Sequence, residues 1–291
     1  MNTVRILDHV VRAAPIGLRF RDVATGLPIR EGLNVTVTSL RNPLRSRMLD
    51  VNGRGVWYAH RFPGFSDAAL ADSTNWLTLA QPCRISVEDP AGRFLPLILD
   101  MDFPVRGLAN WPHWATLPQA PLAPLIDGAG ESPLDMTVCR DALPLFSAPA
   151  RPSPAPLAEI RCQLARNDTG APVRCALVTA SHSGTVRAIG QSDAQGQSVL
   201  FFAYPERPRA SLTTSPPAIT DFRWSLDIRA YSGALPATPT FADIVNQLNH
   251  PCNLFASTAS PPELLPSQLL SFGRPLTLRT AGSSFLMMAA S

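Results

Sequence analysis

The chain contains an internal repeat, in which two segments match when shifted by 144 residues. The first copy begins with Ile-Gly-Leu-Arg-Phe-Arg at residues 16–21, and the second begins with Ile-Arg-Cys-Gln-Leu-Ala at residues 160–165. Apolar residues recur at every second position in both, which indicates a β-strand with one buried face. Each strand then reaches a Thr-Gly-x-Pro sequence, where Gly and Pro favour a turn. The repeat therefore predicts two domains that begin with the same strand–turn–strand unit.

A second turn sequence recurs further along each copy. It reads Asn-Gly-Arg-Gly at residues 52–55 and Asp-Ala-Gln-Gly at residues 193–196, and an apolar strand with aromatic residues follows each. A later strand in each copy alternates around apolar residues, at 84–88 and at 222–229. The turn-forming residues of the repeat are Gly26, Pro28, Gly55, Gly170, Pro172 and Gly196. The residues expected in the core are Phe20, Val35, Val37, Trp57, Val87, Leu164, Trp224 and Leu226.

Several short strands separated by turns predict an all-β fold. The 30 prolines among the 291 residues strengthen this expectation, because proline breaks helices. We expect two tandem antiparallel β-sandwiches of the immunoglobulin-like or transthyretin-like kind. The first, with an N-terminal arm, spans residues 1–103, and the second spans residues 159–235. Residues 104–158 are expected to form a proline-rich linker that contains a tryptophan cluster.

The last part of the chain, residues 236–291, is expected to pack on the second sandwich. It contains one short predicted helix, because Phe241, Ile244, Val245 and Leu248 share one helical face. Two short apolar segments, 276–280 and 285–288, are joined by Ala-Gly-Ser-Ser and predict a C-terminal β-hairpin.

The succession of these motifs resembles a known family of sandwiches. A Thr-Gly-x-Pro turn, an Asp/Asn-x-x-Gly turn and an apolar strand are similar to the carboxypeptidase-regulatory-like, or transthyretin-like, β-sandwich. This resemblance implies the fold and leaves the function open, because such sandwiches serve as accessory and binding modules in unrelated proteins. Four segments also resemble two-sandwich proteins that are encoded beside phage-tail-like contractile injection systems: 20–28, 92–96, 145–152 and 276–280.

Charge and cysteine content exclude several classes of protein. The net charge of +3 is spread along the chain, which argues against a nucleic-acid partner. No stretch approaches the roughly 20 apolar residues of a membrane span, and the N-terminal residues lack the apolar core of a signal peptide. The five cysteines are widely spaced without a Cys-x-x-Cys pair, which argues against disulfides and a zinc site. We expect a cytoplasmic chain without membrane insertion, assembled into a particle that can later be released.

The sequence carries no recognisable catalytic motif. Patterns of the G-x-S-x-G, H-E-x-x-H, Walker and G-x-G-x-x-G kinds are missing. Asp100 and Asp102 would share one strand face, where they could hold a cation, but we favour water-facing aspartates beside a buried apolar face. That apolar face would be formed by Leu97, Leu99, Met101 and Phe103. The histidines lie far apart in the chain, at His9, His60, His113, His182 and His250. We therefore expect no catalytic residue, no cofactor and no metal.

Two sets of residues are candidate partner surfaces. Trp111, His113 and Trp114 could stack on a sugar or fill a partner's pocket, or they could close the open end of the first sandwich. Arginines on predicted exposed strand faces could dock acidic neighbours or be merely solvated: Arg19, Arg21, Arg223 and Arg229. The sequence thus predicts a non-enzymatic structural or adaptor subunit whose partners are other subunits of a multi-protein particle. The alternative is a sandwich that binds a carbohydrate or another surface ligand.

Overall fold

The computed structural model describes residues 14–60, 62, 65, 76–105, 142–154, 156–205, 218 and 221–290. β-Strands dominate this part of the chain, so the predicted all-β class is confirmed. The strands of the first copy are β1 (Ile16–Leu18), β2 (Phe20–Asp22), β3 (Pro28–Ile29), β4 (Asn34–Ser39), β5 (Ser46–Met48), β6 (Asp50–Val51), β7 (Trp57–Ala59), β8 (Gln81–Glu88), β9 (Leu97–Phe103) and β10 (Leu143–Leu145). A short helix, α1 (Trp76–Leu79), precedes β8.

The second copy contains the remaining strands and the second helix. The strands are β11 (Ala158–Arg166), β12 (Leu177–His182), β13 (Thr185–Gln191), β14 (Gln197–Phe202), β15 (Arg223–Tyr231), β16 (Pro251–Ser257), β17 (Glu263–Leu264), β18 (Gln268–Ser271), β19 (Leu276–Leu278) and β20 (Leu286–Ala290). The helix α2 (Phe241–Asn246) lies between β15 and β16 and continues as a 3-10 turn, Gln247–Asn249.

The first domain packs two layers of strands around one core. One layer has the strand order β5-β4-β8-β9. The other layer consists of two three-stranded sheets, β1-β7-β6 and β10-β2-β3, which follow one another because Arg19 alone separates β1 from β2. Alternate residues of β4 and β8 are buried, as a period of two requires. The core residues predicted for this domain are all buried: Phe20, Val35, Val37, Trp57 and Val87.

The second domain is one ten-stranded sheet that folds over itself. Its main path runs β13-β12-β15-β16-β20-β11-β14, and β17, β18 and β19 pair with β16, β15 and β11. The two end strands approach each other at Gly190, where an added Cβ atom would lie 2.8 Å from the carbonyl oxygen of Val199. The three predicted core residues of this domain are buried: Leu164, Trp224 and Leu226.

The first repeated turn has the same backbone hydrogen bonds in both domains. The Gly26 N–H donates to the Asp22 carbonyl, and the Gly170 N–H donates to the Arg166 carbonyl, both at 2.8 Å. Both glycines have positive φ, at 70° and 68°, which a residue with a side chain seldom adopts. The prolines of the motif lie just beyond, at Pro28 and Pro172. The two turns thus match in their backbone hydrogen bonds as well as in their sequence.

The second repeated turn is closed by the side chain of its first residue. In the first domain the Asn52 Oδ1 accepts the N–H of Arg54 at 2.9 Å and the N–H of Val56 at 3.1 Å. In the second domain Asp193 Oδ1 accepts the N–H groups of residues 195 and 197 at 2.9 and 2.8 Å. Gly196 has a φ of 75° and sits directly against β11, so that an added Cβ atom would lie 2.4 Å from the Leu164 carbonyl oxygen.

The repeat extends beyond the motifs that the sequence made visible. β10 pairs in parallel with β2, and β20 pairs in parallel with β11, so each domain ends with a strand beside the one that leads into its Thr-Gly-x-Pro turn. The expectation that residues 104–158 are all linker is therefore wrong at its C-terminal end. Leu143, Leu145 and Phe146 are buried in the first core, because their apolar side chains complete that sandwich and β2 satisfies their backbone.

The predicted C-terminal hairpin does not form. β19 and β20 do not pair with each other, because both run parallel to β11, with Ile160 opposite Leu276 and Leu164 opposite Leu286. β20 is held between β11 and β16, so both of its edges are already occupied. The loop between β19 and β20 is fixed by Thr280, whose hydroxyl donates to the Phe255 carbonyl at 2.7 Å.

The predicted helix is confirmed, and it connects the two domains. Thr240 caps it, with the Thr240 N–H donating to the Asp243 carboxylate at 2.8 Å. The helix lies against β9. Its apolar residues belong to the core of the first domain, together with three residues of the second: Phe241, Ile244, Val245 and Leu248, with Leu177, Ile189 and Tyr231. The helix therefore packs on both domains, where the sequence predicted contact with the second alone.

An ion pair at the end of β2 fixes the segment between the domains to the first domain. The guanidinium of Arg151 donates to both carboxylate oxygens of Asp22, at 2.9 and 2.7 Å, and to the Ser147 hydroxyl at 2.9 Å. Both side chains are largely buried, with 11% and 7% exposed. The guanidinium carbon lies 4.9 Å from the ring centre of Phe94 and 5.8 Å from that of Phe201 in the second domain.

Arg161 of β11 holds the segment that follows β10. Its guanidinium donates to the carbonyl oxygens of Pro149 and Arg151 and to the carboxylate of Glu159. An apolar contact lies beside this segment, where Ala24 of the first domain meets residues 199 and 201 of β14. The connection between the domains is therefore fixed by hydrogen bonds and apolar packing.

Replacing the glycine of the Thr-Gly-x-Pro turn and the glycine of the Asp-x-x-Gly turn in the second domain should lower the free energy of unfolding by unequal amounts. Gly170→Ala places a side chain at positive φ with no atom within 4 Å, so we expect a loss of about 1–2 kcal/mol. Gly196→Ala adds a collision with the Leu164 carbonyl, so we expect roughly 3 kcal/mol or more. Urea denaturation of the two variants measures the difference, and equal losses would contradict the tight packing of Gly196 on β11.

Removing Arg151 should destabilise the protein far more than removing a surface arginine. Arg151→Ala leaves the Asp22 carboxylate buried without its charged partner, which typically costs about 3–5 kcal/mol. Arg166→Ala is the matched control, because Arg166 pairs with Asp168 in solvent, and it should leave the urea midpoint nearly unchanged. Similar midpoints for the two variants would show that the Asp22–Arg151 pair does not stabilise the fold.

Candidate functional site: an exposed edge ribbon

The aromatic candidates and two of the four arginine candidates can be placed simply. Trp111, His113 and Trp114 lie outside the described residues. Arg223 and Arg229 are exposed on β15, whose other face is buried, as the alternating pattern predicted. They are separated along a central strand, so they form no joint site.

The expectation that Arg19 and Arg21 lie on an exposed strand face is wrong for Arg21. Arg21 is 3% exposed, and Arg19 is half-buried. The reason is that β2 is a central strand, with β3 on one side and β10 on the other, and all three of its residues are buried. The sequence pattern treated this strand as half-exposed, since β10 was not recognised as its neighbour.

The candidate cation site has another role. Asp100 accepts two hydrogen bonds from Arg84 of the neighbouring strand, both at 2.8 Å. Leu97, Leu99 and Phe103 are buried on the opposite face of β9, as the favoured interpretation predicted, and Met101 is half-buried. Among the described residues, no three side chains of His, Cys, Asp or Glu are close enough together to hold a metal ion. The described part of the chain also has no helix that is long and apolar enough to cross a membrane.

None of the four described cysteines has the lowered pKa of a reactive thiolate. Burial raises the pKa of the Cys162 thiol to about 12. Burial and the nearby charge of Asp102 raise the pKa of Cys83 to about 11, against a smaller opposing effect of Arg41. Burial also raises the pKa of Cys175 and of Cys252. These thiols are free, and their environments suit packing.

A continuous stretch of the first domain is exposed instead, and we call residues 40–54 the exposed ribbon. Leu49 is its one buried residue. Four of the seven large apolar side chains that are exposed in the described structure lie in this ribbon: Leu40, Leu44, Met48 and Val51. Leu44 is 94% exposed and Met48 60%. The ribbon therefore combines apolar surface with a position at the edge of both layers, since it contains β5 and β6.

The ribbon is also basic. It carries four arginines and one aspartate: Arg41, Arg45, Arg47, Arg54 and Asp50. The five ion pairs seen among the described residues all involve other arginines, so these four guanidinium groups form none with a described carboxylate. The ribbon thus presents positive charge that is not neutralised within the described part of the molecule.

β5 leaves one side of its backbone free of partners in the described structure. It pairs with β4 alone, with Thr38 opposite Ser46 and Thr36 opposite Met48. The Ser39 N–H donates to the carbonyl of residue 45 at 3.0 Å, and the Leu49 N–H donates to the carbonyl of residue 35 at 2.8 Å. Because neighbouring residues of a strand point their backbone groups to opposite sides, those of Ser46 and Met48 point away from β4.

Local turns hold both ends of the ribbon. Asn42 accepts the N–H of Arg45 with its carbonyl at 2.9 Å and the N–H of Leu44 with its Oδ1 at 3.2 Å. The Asn52 turn closes the other end. A groove of about 430 Å³ lies beside this second turn, where Tyr58 and His60 have ring centres 4.9 Å apart. The ribbon is therefore a preformed surface next to a groove.

The equivalent edge strand of the second domain is covered. Its end strand β13 pairs with β12, with Thr179 opposite Ile189, as the end strand β5 of the first domain pairs with β4. Ile189 is 4% exposed, and it packs with the helix residues and the first core. The end strand is thus covered in the second domain and left exposed in the first.

The catalytic and metal-binding motifs gave no sign of the ribbon, because it contains none of them. The available signal was its composition, in which four arginines and five large apolar residues fall within 15 residues of a chain whose charges are otherwise spread out. A search for mixed basic and apolar segments at predicted strand edges would have found it.

Comparisons with known proteins give little further information. No family model and no curated protein matches the chain, so the resemblances proposed from its motifs stay predictions. A streptococcal ancillary pilin is 9% identical, with a TM-score of 0.22, over 91% of this chain and 61% of the pilin chain. The shaft pilin spaA from Lactobacillus rhamnosus GG is 8% identical, with a TM-score of 0.23, over 96% of this chain and 98% of its own. At these scores the likenesses support no conclusion about this chain.

Alkaline pH should destabilise the protein partly through Cys162. Its thiol keeps its proton in the folded chain up to about pH 12, whereas it ionises near 9.0 when unfolded. The folded state therefore binds more protons between these values, and stability falls as pH rises through that window. We expect Cys162→Ala to remove about 2 kcal/mol of the loss between pH 8 and pH 10.5. Unfolding free energies at both pH values test this, and an equal alkaline loss in both proteins would contradict it.

Proposed function

We propose that this chain is a non-catalytic structural subunit that docks to other protein subunits of a larger assembly. The observation that carries the proposal is the exposed ribbon, which places apolar side chains and arginines without ion pairs along a sheet edge. Contiguous exposed apolar surface on a folded domain is typical of an interaction site. Free strand edges are also a recurrent docking point for other chains.

The connection between the domains supports a structural role. The Asp22–Arg151 pair fixes the segment between the domains to the first domain, the helix α2 packs on both domains, and Ile189 of β13 is buried in that second contact. The ribbon consequently belongs to a domain whose position relative to the second domain is already fixed. A partner that binds it would have little conformational entropy of this chain to overcome.

The chemistry of the described side chains also suits docking better than turnover. The four described thiols are held protonated, and Asp100 is occupied by Arg84. The ring of His182 hydrogen-bonds to the carbonyl of Ser225, and that of His60 packs against Tyr58. A hydrolytic or transfer site needs a nucleophile next to a base, or paired acids, and these side chains are engaged in packing and ion pairing.

The assembly that we propose is a phage-tail-like contractile injection particle, put together in the cytoplasm. Support for this finer statement comes from the resemblance of residues 20–28, 92–96, 145–152 and 276–280 to two-sandwich proteins encoded beside such systems. Two of these segments, 20–28 and 145–152, meet at the contact between Asp22 and Arg151. The resemblance therefore involves residues that fix the domain arrangement.

The alternative function, a carbohydrate- or surface-ligand-binding sandwich, rested on Trp111 and Trp114. Both residues lie outside the described part of the chain. A Trp111→Ala/Trp114→Ala variant that loses binding to a glycan array would favour this alternative.

Size fractionation of a gentle lysate from the native host tests the proposed function. We expect the chain, detected by blotting, in a megadalton fraction that also contains tube and sheath proteins. The physical reason is that a docking subunit is held by its partners, while a free chain of 31.4 kDa elutes late.

The control is the same lysate adjusted to high urea, which should move the signal to the monomer position. A chain that runs near its own mass in the untreated lysate would contradict the assembly proposal. A megadalton complex without tube and sheath proteins would contradict the injection-particle proposal alone.

A further inference from the structure

We infer that the exposed ribbon binds an extended acidic segment of a partner protein, which adds to β5 as a further β-strand. This inference rests on the proposed function and specifies the chemistry of the partner. It predicts a segment in which acidic residues alternate with apolar ones.

The backbone of β5 provides the hydrogen bonds. Ser46 and Met48 point their N–H and C=O groups away from β4, and both residues are exposed. An added strand would pair with these groups and extend the layer β5-β4-β8-β9 by one strand. The edge is already in strand conformation, so binding requires ordering of the partner alone.

The side chains of β5 determine which residue types should alternate along the partner strand. Arg45 and Arg47 lie on one face of the strand, and Ser46 and Met48 lie on the other, because successive side chains point to opposite faces. Residues that are directly opposite in a ladder share a face. A partner strand would therefore place acidic side chains beside Arg45 and Arg47, and apolar side chains beside Met48.

The backbone edge of β5, which has no partner among the described residues, also decides between a protein and other anionic partners. A lipid bilayer has no groups that could pair with the edge N–H and C=O groups, and burying them in hydrocarbon would leave them unsatisfied. A nucleic acid would neutralise the arginines but would leave exposed the apolar side chains at Leu44 and Met48. Only a second polypeptide strand satisfies the backbone, the charges and the apolar surface together.

A second copy of the same edge does not fit. Two ribbons paired edge to edge would bring four arginines against four arginines, with one aspartate on each side. Like charges directly opposite each other across a ladder are destabilising. The edge therefore disfavours self-pairing and selects a strand of opposite charge.

Selection from a displayed library of random eight-residue peptides, with the full chain as target, tests the inference. We expect enrichment of peptides in which Asp or Glu alternates with apolar residues. Arg45→Glu/Arg47→Glu should weaken binding of the selected peptides by about tenfold or more, since attraction becomes repulsion. Arg223→Glu/Arg229→Glu makes the same charge change on the exposed face of central strand β15 and should leave binding unchanged.

Two variants at one position test the backbone pairing separately. Ser46→Pro removes an outward N–H and should abolish binding, while the fold is kept because that N–H has no bond to β4. Ser46→Ala loses the same hydroxyl but retains the N–H, and it should bind like the original chain. Circular dichroism checks that both variants fold.

Several results would overturn the inference. These are enrichment of peptides without alternating acids, no enrichment, equal binding by the Ser46→Pro and Ser46→Ala variants, or stronger binding to anionic phospholipid vesicles or a single-stranded oligonucleotide. The proposed function is tested apart from this, by fractionation of a host that produces the Arg45→Glu/Arg47→Glu variant. A variant that still elutes in the megadalton fraction contradicts the inference and leaves the proposed function standing. An original chain that elutes as a monomer contradicts the proposed function.

Discussion

The buried ion pair of Asp22 and Arg151 fixes the segment that connects the two domains. Asp22 ends β2 and closes the first Thr-Gly-x-Pro turn, where its Oδ1 accepts the N–H of Ala24 and its Oδ2 accepts the hydroxyl of Thr25. The same carboxylate then receives Arg151, whose guanidinium lies against Phe201 of the second domain. A turn that occurs in both copies of the repeat thus also contacts the segment between the domains. Because the Asp22 carboxylate is buried, loss of Arg151 would leave its charge unpaired.

Local features of the fold could be predicted from the sequence, and non-local ones could not. Period-two patterns placed Phe20, Trp57 and Leu226 in the core, because alternation and burial are linked within a single strand. β10 was missed because its Leu-Pro-Leu sequence lacks alternation, and its parallel pairing with β2 joins residues about 120 positions apart. The wrong prediction that Arg21 is exposed followed from the same omission, since Arg21 is buried. The hairpin failed similarly, since long-range pairing with β11 outweighed a favourable turn sequence.

The two copies differ most at the edge strand that they share. β5 and β13 are both end strands of their sheets, but Ile189 of β13 packs with residues of the helix α2 and the first core, whereas Met48 of β5 is exposed. Whether such an edge is covered depends on how whole domains pack, and a strand pattern contains no information about that. The exposure of the candidate site could therefore be established only after the domain arrangement was known. Composition gave one signal in advance, since 40–54 contains four arginines within 15 residues.

The arginines of the ribbon also explain how an open edge can coexist with a stable, separate molecule. An exposed strand with apolar side chains is a template for aggregation, and proteins commonly protect such edges with charge. Arg45 and Arg47 provide that protection, because a second ribbon of like charge is repelled. The same charges attract an acidic strand, so a single feature excludes the wrong partner and favours the right one. Replacing these arginines with neutral residues would remove both the repulsion of a second ribbon and the attraction of an acidic strand. The edge is therefore better described as a specific docking site than as an unprotected sheet edge.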